Sequence, residues 1–115
     1  MTSQEDAILA EILRRMAVAP ILERDGWAQA VAWAKGTDPA IAELGRRVLA
    51  DSLLRLMISI ARTYETDAMP LARLAPAGLA GIGAAIDSFD PTKEFKLQTY
   101  AAGFIRQAIT KNIEP

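Results

Sequence analysis

Cysteine and histidine are both absent from this chain of 115 residues. Without cysteine there is no disulfide, no thiol nucleophile and no thiolate set for a zinc finger. Without histidine, imidazole acid–base catalysis is excluded as well. No convincing pair of carboxylates stands in for these groups, so the chain reads as a non-enzyme, with no cofactor, metal or small-molecule substrate expected. Also missing is an uncharged apolar run of the roughly 18 to 20 residues a membrane span needs. The start, MTSQEDA, is acidic where a secretion signal is basic, and a cytoplasmic protein with no membrane partner is expected.

What is present is a 51% hydrophobic composition, enough for one core and too short a chain for two ordinary domains. A single domain is expected, with an N-terminal amphipathic helix over 1–19 and a helical unit over 20–115. The net charge of −1 excludes a polycation that coats DNA non-specifically. Charge is uneven, however: residues 91–115 carry four basic and two acidic side chains, against nine and twelve in the rest. This end suits a phosphate contact and suits a solvated helix end equally well.

Helical periodicity recurs throughout and β-branched alternation does not, so the fold class is all-α. Ile8, Leu9, Ile12, Leu13 and Met16 repeat at spacings of three and four, a buried stripe that Pro20 ends. A second helix is expected from Leu22 to Lys35, with Trp27 and Trp33 in the core, stopping at Gly36. Thr37-Asp38-Pro39 places a capping side chain before a proline at the first helical position. The apolar pattern then runs from Ile41 to Tyr64 without a breaker, which predicts one long central helix of about 27 residues. Pro70 reopens a helix, and Pro76 is expected to break it, with a further helix from Pro76 to Ser88.

Gly78, Gly81 and Ala85 lie on one side of that segment and would admit a close helix neighbour. A phosphate-loop reading of Gly78-x-x-Gly81 has neither a preceding strand nor a Lys-Ser/Thr pair. Asp90-Pro91-Thr92-Lys93 signals a turn, and a final amphipathic helix is expected from Leu97 to Ile113.

Three stretches carry a resemblance. Leu54-Arg55-Leu56-Met57-Ile58-Ser59-Ile60-Ala61-Arg62-x-Tyr64 comes first. It is followed by Pro70-Leu71-x-x-Leu74, Gly78-x-x-Gly81 and Ala85-Ile86-Asp87-x-Phe89-Asp90-Pro91. Phe95-Lys96-x-x-Thr99-Tyr100-Ala101 and Ile105-Arg106-Gln107-Ala108-Ile109-Thr110 complete the set. In order and spacing they resemble region 2 of the sigma-70 family of RNA polymerase sigma factors, and residues 22–53 resemble the helices of region 1.2 before it.

The resemblance implies a compact multi-helix bundle that binds RNA polymerase core and minus-ten promoter DNA. In that family the last helix reads base edges through a Gln-Thr pair, which matches Gln107 and Thr110, and contacts phosphate at positions matching Arg106 and Lys111. A flipped adenine enters an aromatic and charged pocket, matching Phe89, Asp90, Lys93, Phe95 and Tyr100. Lys96, Thr99 and Phe104 complete the implied DNA set. A second reading stands beside this one, in which the aromatics are core, Gln107 and Thr110 are solvated, and Arg106 and Lys111 offset the helix dipole.

The sequence also departs from that family. Gly103 and Phe104 stand where it has a pair of Trp, one of which wedges into the melting duplex; Phe104 can still stack and Gly103 cannot, and lost base stacking is worth roughly 1 to 3 kcal/mol. Its helix that docks on the clamp of the largest polymerase subunit reads Asp-x-x-Gln-Glu-Gly-Asn. Here Arg73, Pro76, Ala77, Gly78 and Leu79 replace acidic and amide groups by basic, cyclic or apolar ones, which argues against the family's usual docking. Arg73, Pro76, Ala77, Leu79 and Ile82 are expected to form a partner surface with an apolar patch. Leu53 and Gln98 replace an Asn and a Ser that help hold a second flipped base. The functional expectation is a sigma-like transcription regulator. The alternative is an interaction module that keeps the fold and has lost promoter melting.

Overall fold

A computed structural model describes residues 3–94 and 96–113, and among these there are six α-helices and no strand. Helix α1, Gln4–Val18, opens with a reciprocal cap: the Asp6 amide donates to Ser3 Oγ at 3.0 Å, and the Ser3 amide donates to the Asp6 carboxylate at 3.3 Å. Helix α2, Arg24–Ala34, is followed by α3, Pro39–Ser52. The Asp38 carboxylate accepts from the amides of Ala40 at 2.9 Å and Ile41 at 3.3 Å, so the start read from Asp38-Pro39 is the one the chain uses. Helices α4, Leu54–Thr63, α5, Leu71–Ser88, and α6, Leu97–Lys111, complete the order.

The long central helix is not continuous. It divides at Leu53, which at φ −88° and ψ −6° lies at the edge of the right-handed helical region, and whose N–H is shared between the carbonyls of Leu49 and Ala50. No Gly or Pro forces this bend. Its cause is tertiary: α3 packs mainly against α2, whereas α4 packs against α5 and α6, and one straight rod cannot serve both directions. Leu49, Leu53, Leu54 and Met57 are buried across the bend, and the Ser52 hydroxyl is enclosed there with no hydrogen-bond partner.

The expected break at Pro76 is also absent, because α5 runs through it. The proline removes one backbone donor near the start of the helix, at a typical cost of about 3 kcal/mol. Burial of Leu74, Ile82 and Ile86 on the same helix outweighs that cost, at roughly 1.5 to 3 kcal/mol per large side chain. A third correction concerns Trp27 and Trp33, which are half-buried rather than interior. The α2 residues enclosed by the fold are the smaller Ala30 and Val31.

Helix α5 is the central element, packed on α6, α4, α1 and α3. A Cβ built on Gly81 would lie 2.7 Å from the Phe104 carbonyl oxygen and 2.8 Å from Ile105 Cα, so only glycine allows α5 and α6 to approach this closely. Gly45 does the same for α2 and α3, where a Cβ would meet the Ala34 backbone nitrogen at 2.5 Å. The α2–α3 hairpin then holds the far end of α5. Lys35 Nζ donates to the carbonyls of Ile86 at 2.7 Å and Asp87 at 3.2 Å, which have no partner within the helix, and Arg46 pairs with the Asp87 carboxylate. At the other side Arg15 pairs with Asp51, and the Arg55 guanidinium donates to the Met16 carbonyl at 3.1 Å, tying α1 to α3 and α4. Ile12 of α1 enters the common core.

Two glycine substitutions should therefore move stability in opposite directions. Gly81→Ala forces backbone apart and is expected to cost about 1 to 3 kcal/mol. Gly103→Ala, where a Cβ would meet nothing within 4 Å, should gain about 0.5 to 1 kcal/mol. Urea unfolding followed by circular dichroism measures both. Lys35→Met should cost about 1 kcal/mol and speed amide exchange in the last turn of α5, which hydrogen-exchange mass spectrometry can localise.

Candidate nucleic-acid interface

Helix α6 buries Leu97, Ala101, Ile105 and Ile109, one residue in every four, against α5 and α4. At 3.6 residues per turn, the opposite side must carry Thr99, Gly103, Arg106, Gln107 and Thr110. All are exposed except Thr110, which is half-buried. Gln107 and Thr110 thus stand one turn apart on the same outward face. The Thr110 hydroxyl donates to the carbonyls of Arg106 at 2.9 Å and Gln107 at 3.2 Å, so what it offers outward is an acceptor and a methyl group. Arg106 and Lys111 are exposed, and Lys111 lies in the last turn, where it also offsets the helix dipole.

One flank of this face is aromatic. Tyr100 and Phe104, one turn apart, have ring centroids 4.8 Å apart and tilted by 52°, and Phe89 meets Tyr100 at 5.7 Å and 56°. Phe89 itself is buried, so its contribution is to back the Tyr100 ring. Phe95 lies outside the described residues. The Tyr100 hydroxyl is 2.9 Å from Ser88 Oγ at the end of α5.

Asp90 accepts hydrogen bonds from the Thr92 hydroxyl at 2.6 Å and the Thr92 amide at 2.9 Å, which hold its carboxyl below the usual range and keep it ionised. This carboxylate therefore shapes the turn that leads to α6, and Lys93 and Lys96 are exposed around it. Lys96 is the residue before the first turn of α6.

Sequence reasoning missed a groove of about 850 Å³ between α2 and the segment leading into α6. Trp27, Val31, Phe89 and Leu97 line it with apolar surface, and Arg24, Glu94, Lys96 and Gln98 bring charge and amide groups. Its walls come from two segments, residues 22–32 and 89–98, far apart in the chain, so no local spacing could announce it. Leu53 is fully enclosed in the core, whereas Gln98 borders this groove.

The residues expected on a partner surface divide. Arg73 is exposed on α5, 3.9 Å from Glu5 of α1, and Pro76, Ala77 and Leu79 are half-buried. Ile82 is 2% exposed and belongs to the core, because its side of α5 turns toward α3 and α1, so it cannot present its side chain as part of an apolar patch. Among the described residues no helix is long and apolar enough to cross a membrane, and no cluster of three or more carboxylates could hold a metal ion.

Comparison with known proteins agrees with the geometry. Residues 49–114 match the family model for sigma-70 region 2. The chain is 46% identical over 72 residues to the RNA polymerase sigma factor SigA of Lactococcus lactis subsp. cremoris, covering 63% of this chain and 20% of that protein. It is 43% identical over 74 residues to the RNA polymerase principal sigma factor HrdD of Streptomyces griseus, covering 64% of this chain and 22% of that protein. With the sigma factor SigA2 of Synechococcus elongatus it shares 34% identity over 90 residues, covering 70% of this chain and 28% of the relative. The match thus spans between a fifth and a third of each relative's length. On a family match that covers more than half of its residues, together with these relatives, the chain belongs to the sigma-70 region 2 family.

Proposed function

We propose that this protein is a sigma factor-like transcription initiation domain that binds RNA polymerase core and reads minus-ten-like promoter DNA through α6, acting in the cytoplasm and without enzymatic activity. The observation that carries the reading is the outward face of α6. Gln107 and Thr110 are one turn apart on it, Arg106 stands beside them, and the Tyr100–Phe104 pair forms its flank. Polar groups that can meet base edges therefore adjoin aromatic rings that can stack on an unpaired base, the combination needed where a duplex meets single strand. Lys93, Lys96 and Lys111 supply phosphate contacts around them. In this reading residues 20–115 are the working unit, and α1 braces it against α5.

A second reading has its own support. Gly103 presents no side chain at the centre of the outward face, and Arg73, Pro76 and Ala77 give α5 a surface without acidic groups. On this view the chain keeps the fold as a protein–protein module and no longer opens DNA. The two readings differ in what Gly103 costs. A Cβ built there meets nothing within 4 Å, so the backbone admits a side chain at this position and Gly103→Trp tests it directly.

Three measurements separate them. In fluorescence anisotropy, Tyr100→Ala and Gln107→Ala should weaken binding to a forked, minus-ten-like DNA by about tenfold while changing random-duplex affinity far less. Equal loss on both substrates would mean a phosphate contact alone. Gly103→Trp should strengthen fork binding by about tenfold, since one base–aromatic stack is worth roughly 1 to 3 kcal/mol. No gain would favour the protein-binding module. Purified core polymerase should retain the protein in a pull-down, and Arg73→Asp should change the amount retained. Loss of all retention in the parent chain would remove polymerase from the account.

A further inference from the structure

We propose that Ser88 is a positioning residue that fixes Tyr100 as a stacking platform, an inference that rests on the DNA reading of Tyr100. Ser88 is the last residue of α5 and Tyr100 lies in the first turn of α6, so the contact joins the two most closely packed helices at the edge of the candidate interface. Ser88 Oγ lies 2.8 Å from the Ala84 carbonyl and 2.9 Å from the Tyr100 hydroxyl. A carbonyl only accepts, and a serine hydroxyl has one proton, so that proton goes to Ala84. The Tyr100 proton must then go to Ser88. The result is a directed chain, Tyr100 O–H to Ser88 O–H to the Ala84 carbonyl, anchored in the backbone of α5.

Two consequences follow. The phenol proton is engaged by Ser88, so the value of Tyr100 to a nucleic acid lies first in its ring. That ring is also held at both ends: the hydroxyl by Ser88, and the body by the tilted contacts with Phe89 and Phe104. A ring already fixed before binding loses less freedom when a base stacks on it. Removing either hydroxyl frees the ring without removing its face.

The test uses the full 115-residue chain and fluorescence anisotropy with forked and fully duplex oligonucleotides of one sequence. Ser88→Ala and Tyr100→Phe are each expected to weaken fork binding about three- to tenfold, the range one hydrogen bond supports, with duplex affinity unchanged. The double variant should be no weaker than either single one, because both remove the same chain. Ser88→Thr keeps the hydroxyl and should bind the fork like the parent. Tyr100→Ala is the control for the ring itself. If it costs tenfold while Ser88→Ala and Tyr100→Phe cost nothing, or if their losses multiply, the positioning role is overturned and the DNA reading stands. If Tyr100→Ala leaves fork affinity unchanged, the DNA reading has failed and the role of Ser88 falls with it.

Discussion

The contact between Gly81 and the backbone of Phe104 and Ile105 is the constraint from which the rest of this structure follows. It lets α5 and α6 meet at backbone distance, and their joint surface encloses Leu74, Ala85, Ala101, Ile105 and Ile109. With that side of α6 committed, its other side is committed too: Thr99, Gly103, Arg106, Gln107 and Thr110 can only face outward. The same approach brings the end of α5 beside the first turn of α6, so that Phe89 and Ser88 reach Tyr100. The candidate interface is thus a by-product of how α5 and α6 pack.

The α2–α3 hairpin supports this arrangement from behind. Gly45 draws the two helices together, and Lys35 and Arg46 then hold the last turn of α5 through its carbonyls and Asp87. These are exposed or half-exposed polar contacts, individually modest, and their role is to orient rather than to supply bulk stability. Apolar burial supplies that: among the described residues no charged side chain lies in the core. Trp27 and Val31 approach Phe89 and Leu97 across the open groove, which gives the aromatic site a second wall.

How much of this was legible in the sequence depended on whether the cause was local. The Asp38-Pro39 start, the Asp90 turn and the buried stripe of α6 follow from caps, turn chemistry and periodicity, and the chain obeys them. The small-residue row at Gly78, Gly81 and Ala85 announced a close helix contact, and the structure has one. Pro76 and Leu53 reversed expectation for one reason: packing outweighed local preference, keeping α5 whole through a proline and bending α3 from α4 where no breaker stands. Membership of the sigma-70 region 2 family was visible from motif order, whereas the burial of Ile82, the Ser88–Tyr100 contact and the groove beside Trp27 depend on which elements meet. The Gln107–Thr110 face came from the resemblance, and its outward direction from the packing of α6.

One titration tests the outward face of α6 most directly. Nuclear magnetic resonance of the isotopically labelled chain, with a forked minus-ten-like oligonucleotide added stepwise, reports which residues the nucleic acid touches. The account predicts shifts concentrated at Tyr100, Gly103, Phe104, Gln107 and Thr110, with Ser88 responding at the edge and α1 unmoved. Shifts confined to lysine and arginine positions, shifts centred on Arg73 to Ala84, or no shifts at all would contradict it.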